Sequence, residues 1–392
     1  MSEDCSHVYP FEMVRRAARD RSPVSGLTHQ FYRYPARFSP QFARACIDAF
    51  SRPGDVVFDP YMGGGTVVVE AMVAGRCAIG SDINSLAVFV AGTKTSRLSM
   101  RERDAVGKWA NEVVPALRCT RPVDPSAPQL NHRPRNMSLE SVRWHRKMIA
   151  VCLASIEEHL NTSKAAQFAR CAVLNVGQWA LNGRKRVPTV AEFRERLRLT
   201  CRDMLDAAAD FEASIAMLSH DITEPVLCQG DAEHVHRDGR IARHAPVDLV
   251  VTSPPYPGIH MLYHRWQVDG RKETDAPYWI AACDDGDGSA HYNFADRRPQ
   301  GVNRYFEKAE SAFSSIRRLM RPGAVLAQMI AFSDPTRQLP RYLKAMDNAG
   351  FSELRPAGRH RIWRDVPGRR WHATLQGKTS SSREVVLVHA AR

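Results

Sequence analysis

The stretch Val56-Val57-Phe58-Asp59-Pro60-Tyr61-Met62-Gly63-Gly64-Gly65-Thr66 decides how this chain folds. Its apolar start predicts a strand that ends at Asp59. The glycines predict a loop whose backbone can approach a ligand closely, because they carry no Cβ. Thr66 to Ala74 predicts a helix, and Ala78-Ile79-Gly80 a second strand that ends in Ser81-Asp82. Strand, loop, helix and strand in that order make a β-α-β unit, the opening of a parallel doubly wound sheet.

A carboxylate at the end of the second strand can accept both ribose hydroxyls of a nucleoside. Asp82 stands there, with Ile83 beside it. The plainer alternative is a glycine-rich turn followed by a surface aspartate, and the two features together favour the nucleoside. The loop lacks the Gly-x-Gly-x-x-Gly spacing of a dinucleotide site, which sets an NAD-dependent oxidoreductase aside, and it lacks a Walker lysine. The charge of Asp59 would disfavour a pyrophosphate and suits the cationic methionine part of S-adenosylmethionine. Gln229-Gly230-Asp231-Ala232 offers a further carboxylate, able to accept from an adenine amine. Asp231 taken alone reads equally as a turn residue.

Outward from this unit, residues 1–25 read as a polar lead-in and Pro40 to Phe50 as a helix. Further strands are expected at Val226 to Cys228, Val247 to Val251, Ala324 to Ile330 and Glu384 to His389. Between residues 100 and 222 the pattern is helical, over Met148 to Leu160, Ala165 to Leu181 and Val190 to Leu218. Neighbouring parallel strands need a crossover of only about a dozen residues or somewhat more, so this segment reads as an insertion. Three parts follow: residues 1–99 with the cofactor loop, the insertion at 100–222, and residues 223–392. The loop Asn182 to Pro188 carries Arg184, Lys185 and Arg186, and residues 119–137 read as an exposed loop rich in Pro, Asn and Arg.

The 392 residues hold 55 Lys plus Arg against 42 Asp plus Glu, a formal charge of +13. A balance that basic points to a polyanion, nucleic acid first. Hydrophobic residues at 44% supply a real core. The nine cysteines are scattered and odd in number, which suits a reducing cytosol. Met1 to His7 show no leader pattern, and no stretch reads as a membrane span. A cytoplasmic protein is therefore expected.

Val250-Val251-Thr252-Ser253-Pro254-Pro255-Tyr256 is the most specific string. Prolines fix the backbone and remove donors, leaving carbonyls free to accept. A base amine is a poor nucleophile because its lone pair is delocalised into the ring. Ser253 Oγ and the Pro254 carbonyl can each accept one amine hydrogen, drawing the nitrogen toward tetrahedral geometry. Tyr256 can stack on an extruded base. The alternative for this string is a rigid strand-to-loop corner.

With these motifs the chain resembles the amino-methyltransferases of DNA, of the Ser-Pro-Pro-Tyr type common among N4-cytosine enzymes. Tyr34, Pro35, Ala36 and Phe38 fall in a segment that resembles the one packing over the methionine moiety in that family. Asp59, Pro60, Tyr61, Gly63, Gly64, Gly65 and Thr66 match its cofactor loop, Asp82 with Ile83 its ribose position, and Asp231 with Ala232 its adenine side. Ser253, Pro254, Pro255 and Tyr256 match its catalytic motif, and Ser382-Arg383-Glu384-Val385-Val386 looks like its closing strand. The resemblance implies a Rossmann-like class I methyltransferase fold, α/β with a mostly parallel sheet, and S-adenosylmethionine as cofactor. It implies methyl transfer to N4 of cytosine in double-stranded DNA, with the target base flipped out and a cognate restriction or defence nuclease as a partner. N6-adenine methylation and action on RNA are the other readings within the class. A nucleic-acid-binding module that has lost catalysis is the reading from another class, and the intact residues 253–256 argue against it. Two departures bear on target recognition: the cofactor motif precedes the catalytic one, the reverse of many Ser-Pro-Pro-Tyr enzymes, and the insertion lies between the second and third strands.

Residues 257–304 interleave aromatic and basic side chains: Tyr263, His264, Arg265, Trp266, Tyr278, Trp279, His291 and Tyr292. Arg265 and Trp266 join Arg184, Lys185 and Arg186 as candidate DNA contacts, the alternative being a lid that folds on the core. His260 and His264 have no completing ligands nearby, and the chemistry needs no metal.

Overall fold

A computed structural model describes residues 4–34, 39–120, 134–184, 186–257, 265–270, 272–286, 299–355, 360–366 and 382–392. Pro35, Ala36, Phe38 and Lys185 lie outside the described residues, as do Tyr263, His264, His291 and Tyr292.

The first strands and helices follow the expected unit. β1 (Val56–Asp59) leads through the glycine loop into α3 (Thr66–Val73), and β2 (Cys77–Asp82) pairs with β1 in parallel. α2 (Pro40–Phe50) precedes β1, with Ser39 accepting from Phe42 N and Pro40 at its start, where a missing N–H costs nothing. α4 (Ser85–Thr95) follows β2, capped by the Asn84 side chain.

The main sheet has the order β3-β2-β1-β4-β7-β10-β8, with β9 pairing β10. These are β3 (Val226–Gln229), β4 (Val247–Thr252), β7 (Met320–Ala331), β8 (Phe351–Leu354), β9 (Ile362–Val366) and β10 (Ser382–Ala391). The run from β3 to β7 is parallel, while β10 runs against both β7 and β8. Both faces are covered, as parallel sheets require. Val57, Leu249 and Val251 point into one layer with α2 and α3. Phe58 and Val250, one residue along, point into the opposite layer. That layer includes residues of α10 (Pro299–Arg317) and α11 (Pro335–Asn348).

The expectation of a polar lead-in at residues 1–25 is corrected. Asp4–Arg19 forms a helix, α1. Its Phe11, Val14 and Ala18 recur at helical spacing and are buried, with Phe11 edge-on to Phe50 at 5.8 Å. The surrounding charges hid this stripe.

The insertion is helical as expected: α5 (Met100–Lys108), α6 (Arg143–His159), α7 (Ser163–Leu181) and α8 (Val190–Ala216). α5 and α8 each begin with a capping box, Ser99 with Glu102 and Thr189 with Glu192. The insertion does not form a core of its own. Its apolar side chains share one cluster with Phe31, Tyr32, Tyr34, α4 and residues 266–281. The far half of α8 instead meets the sheet layer through Phe211 and Ile215. After residues 253–256 come a hairpin, β5 (Trp266–Val268) with β6 (Lys272–Thr274), and the short helix α9 (Ala276–Ala281).

Candidate active site

In an open parallel sheet, ligands bind beyond the carboxyl ends of the strands where the strand order reverses. Here that point lies between β1 and β4, and both key strings end there: β1 at Asp59 and β4 just before Ser253. The two are tied directly, since Thr252 Oγ1 donates to Asp59 Oδ1 at 2.7 Å and Tyr61 N donates to the same oxygen at 3.1 Å.

Asp82 sits at the end of the neighbouring strand, half-buried. Gly63 N donates to its Oδ2 and Asn84 N to its Oδ1, both at 2.9 Å. A carboxylate oxygen has lone-pair capacity for more than one donor. Burial pushes the Asp82 carboxyl up to about 6, against the pull of those two amides. Asp59 is more deeply buried, and burial pushes it up to about 7, with Asp82 adding a smaller upward push.

The glycine loop is shaped as much by Tyr34 as by space for a ligand. A Cβ at Gly64 would lie 2.8 Å from the Tyr34 Cβ, and one at Gly63 would lie 3.3 Å from its ring. Gly65 opens α3 with φ +73 and sits against Ala91. The Tyr34 hydroxyl accepts from Asn84 Nδ2 at 3.0 Å, and Asn84 Oδ1 accepts from Tyr278 Oη at 3.0 Å. This chain joins the segment before the loop, the end of β2 and α9. Behind the loop, the fully buried Lys94 donates from Nζ to the Gly64 carbonyl at 2.8 Å. Sequence reading missed Lys94 and Asn84. The signal for Lys94 was a lone cation in the otherwise apolar helix Ser85–Thr95. Among the remaining cofactor-loop residues, Pro60 and Thr66 are buried and Tyr61 is partly so.

Asp231 stands across β2 from this loop. It caps a short 3-10 turn, accepting from Glu233 N at 3.0 Å, and the following Ala232 is buried. The main chain connects the two sides: Gly230 N donates to the Asp82 carbonyl at 3.0 Å, and Gln229 Nε2 to the Ile83 carbonyl at 3.3 Å.

At the end of β4, Ser253 is partly exposed. Its hydroxyl donates to the Met329 carbonyl of β7 at 3.0 Å, with the Tyr256 hydroxyl 3.5 Å away. With the proton directed at Met329, the oxygen lone pairs are turned to other donors. The Pro255 carbonyl accepts from Tyr305 Oη at 2.7 Å, which pins the turn. Tyr256 is buried, and its hydroxyl donates to Glu384 Oε1 at 2.8 Å.

The candidate DNA contacts separate into two groups. Trp266 is corrected. It is buried to 1%, its Nε1 donates to Tyr32 Oη at 3.0 Å, and its ring fills the space left by Gly177, so it has no face for a base. Arg265 is held by Asp285 at 2.8 Å and lies 3.7 Å from Glu273, which leaves its charge largely answered within the chain. Arg184, by contrast, lies over the Trp179 ring at 5.1 Å, with Arg196 near the same ring at 5.9 Å. Arg186 is exposed. This loop is fixed to the hairpin, since Gly183 N donates to the Gln267 carbonyl at 2.7 Å. A second stack stands on α6, where Arg143 and Lys147 flank the half-exposed Trp144 at 5.4 and 5.7 Å.

The parallel run β3-β2-β1-β4-β7 with β10 wedged antiparallel before the edge strand, and a glycine loop at its reversal point, defines a class I methyltransferase fold. Residues 1–91 match the DNA methylase family of N6 and N4 amino-methyltransferases, so the resemblance to that family is shown over this stretch. The chain is 36% identical over 73 residues to the Type II methyltransferase M.MvaI of Kocuria varians, covering 18% of this chain and 16% of that protein. It is 30% identical over 74 residues to the Type II methyltransferase M.MjaII of Methanocaldococcus jannaschii, covering 19% and 14% respectively. The aligned stretches thus span about a sixth or less of the relatives' own length. Among solved structures, TrmN from Thermus thermophilus aligns with 93% of this chain and 52% of its own, at 12% identity and TM-score 0.37. The rRNA methyltransferase AviRa from Streptomyces viridochromogenes aligns at 10% identity and TM-score 0.36, over 95% of this chain and 96% of its own.

S-adenosylmethionine is the methyl donor that this family and fold imply, and the residues fit it. Two carboxyls displaced upward by burial face a loop closed by an aromatic ring, and a cationic ligand would favour their ionised forms.

Proposed function

We propose that the protein is an S-adenosylmethionine-dependent DNA methyltransferase acting on the N4 amine of cytosine. The observation that carries this reading is the seating of Ser253-Pro254-Pro255-Tyr256 at the end of β4, joined to Asp59 through Thr252. Asp59 would hold the cationic methionine part, Asp82 the ribose, and Asp231 the adenine side. S-adenosylmethionine supplies the electrophilic methyl when bound. Ser253 Oγ, its own proton given to Met329, accepts one hydrogen of the target amine, and the Pro254 carbonyl accepts the other. The amine lone pair is thereby freed from the ring and aimed outward. Pre-set acceptors need no rearrangement as the amine changes geometry, so their benefit falls on the reacting state. The target base must leave the stack to reach Ser253, and in this reading Tyr256 would pack against it.

Serine favours cytosine over adenine at this position, since the adenine enzymes of the resembling family usually carry Asp or Asn before Pro-Pro-Tyr. Arg184, Lys185 and Arg186 supply phosphate contacts to double-stranded DNA, in keeping with the +13 charge, and Arg196 shares the Trp179 ring with Arg184. Membership of a restriction-modification pair, with a cognate nuclease, is supported by the Type II names of both relatives. The test is nucleoside mass spectrometry of DNA and RNA incubated with the protein and labelled cofactor. N4-methylcytosine in DNA is expected. N6-methyladenine alone overturns the base, and label found only in RNA overturns the substrate.

A further inference from the structure

Glu384 is a carboxylate buried to 1% in an apolar strand, and no step above uses it. It lies directly across from Arg364 in the β9–β10 register. Arg364 Nε and Nη2 donate to Glu384 Oε2 at 2.6 and 2.5 Å. The opposite oxygen, Oε1, accepts the Tyr256 hydroxyl at 2.8 Å. The 3.5 Å separation between Tyr256 Oη and Ser253 Oγ makes the serine oxygen an alternative acceptor at hand.

We propose that Glu384, clamped by Arg364, is a positioning residue that keeps the tyrosine proton away from Ser253. The proposal rests on the reading of residues 253–256 as the transfer motif. A phenol proton in a buried site must find an acceptor. If it turned to Ser253 Oγ, it would occupy the lone pair that receives the target amine. A full negative charge is the strongest acceptor within reach, and charge-assisted hydrogen bonds are about twice as strong as neutral ones. The guanidinium, with two donors converging on Oε2, fixes where that charge points and compensates it, which a lone buried carboxylate would lack. The orientation of one hydroxyl of the motif is thus set from the antiparallel strand, two strands away from β4.

The test is a double-mutant cycle. Glu384→Gln keeps the shape and removes the charge; it should lower kcat for DNA methylation about tenfold, with cofactor Kd and thermal midpoint close to wild type. In a Tyr256→Phe background, with the kcat of that single variant as the reference, there is no phenol proton to direct, and adding Glu384→Gln should change kcat less than twofold. Glu384→Asp keeps the charge and draws it back by one carbon, so it provides a second cycle if the glutamine variant does not fold. Its loss should likewise vanish in the Tyr256→Phe background. A loss of equal size in both backgrounds marks Glu384 as purely structural and overturns the proposal, as does wild-type kcat in Glu384→Gln. If the wild-type protein transfers no methyl group to DNA at all, the reading of the motif fails, and the proposal fails with it.

Discussion

Binding of S-adenosylmethionine should be coupled to deprotonation of Asp59. In the free protein, burial holds this carboxyl at about 7 instead of 3.8, so it is largely protonated at pH 6 and largely ionised at pH 8. A cationic ligand prefers the ionised form. If the bound carboxyl titrates well below 6, affinity follows the ionised fraction of the free protein, which rises about tenfold from pH 6 to pH 8, roughly 1.4 kcal/mol by linkage. Asp82, at about 6, adds a smaller rise in the same direction at the acid end. Asp59→Asn should bind weakly and lose most of this dependence, since asparagine can still accept from Thr252 and Tyr61. The folded-state value is raised, so this group favours the fold at low pH, and that contribution is lost as pH rises from about 4 to about 7. The unliganded Asp59→Asn variant should therefore be more stable than wild type at pH 8, by up to about 4 kcal/mol. Calorimetry at pH 6, 7 and 8, in two buffers of different ionisation heat, measures both affinity and protons released. Affinity that is flat or falls over that range, or no proton release at pH 6, refutes the assignment.

Ser253→Ala should lose at least an order of magnitude in kcat while calorimetric cofactor affinity stays unchanged, because in the proposed reading Ser253 receives the target amine and not the cofactor. Neutralising Arg184, Lys185 and Arg186 together should weaken duplex binding and flatten its salt dependence by about 0.9 for each phosphate that is no longer neutralised; an unchanged slope in fluorescence anisotropy assigns this loop to solvent. Trp266→Ala should cost roughly 3–5 kcal/mol in denaturant unfolding, as large core truncations do, and should leave the affinity of the folded fraction for DNA intact.

The two reaction strings were legible because their geometry is local. A strand, a glycine loop and a terminal carboxylate must follow one another in sequence to work, and the double proline fixes its own turn. The helices Pro40–Phe50 and Ser163–Leu181 were legible from periodicity, which fails only where charges interrupt it, as in Asp4–Arg19. Trp266 misled because its neighbours in sequence are basic, whereas its neighbours in space are Tyr32 and Gly177. Composition cannot say which way a side chain turns. The partners of Tyr256 and of the glycine loop were hidden for the same reason: Glu384 lies 128 positions from Tyr256, and Lys94 lies 30 from Gly64. Lys94 stood out only as a lone cation in an apolar helix, and Glu384, beside Arg383 at the polar start of its strand, did not stand out.

The shared core of the helical insertion limits how this protein can be recombined. Trp266 seated against Gly177, and the Tyr34–Asn84–Tyr278 chain, join pieces that are distant in sequence into one body. An exchange of residues 100–222 alone with a homologous protein would leave the Trp266 ring without the close seat that Gly177 gives it. A viable chimera has to carry residues 28–34, the helices of the insertion and residues 265–283 together. In this architecture the surface of the insertion is thus expected to vary by point changes on the exposed ends of the helices, with the whole block moving as one when it moves at all.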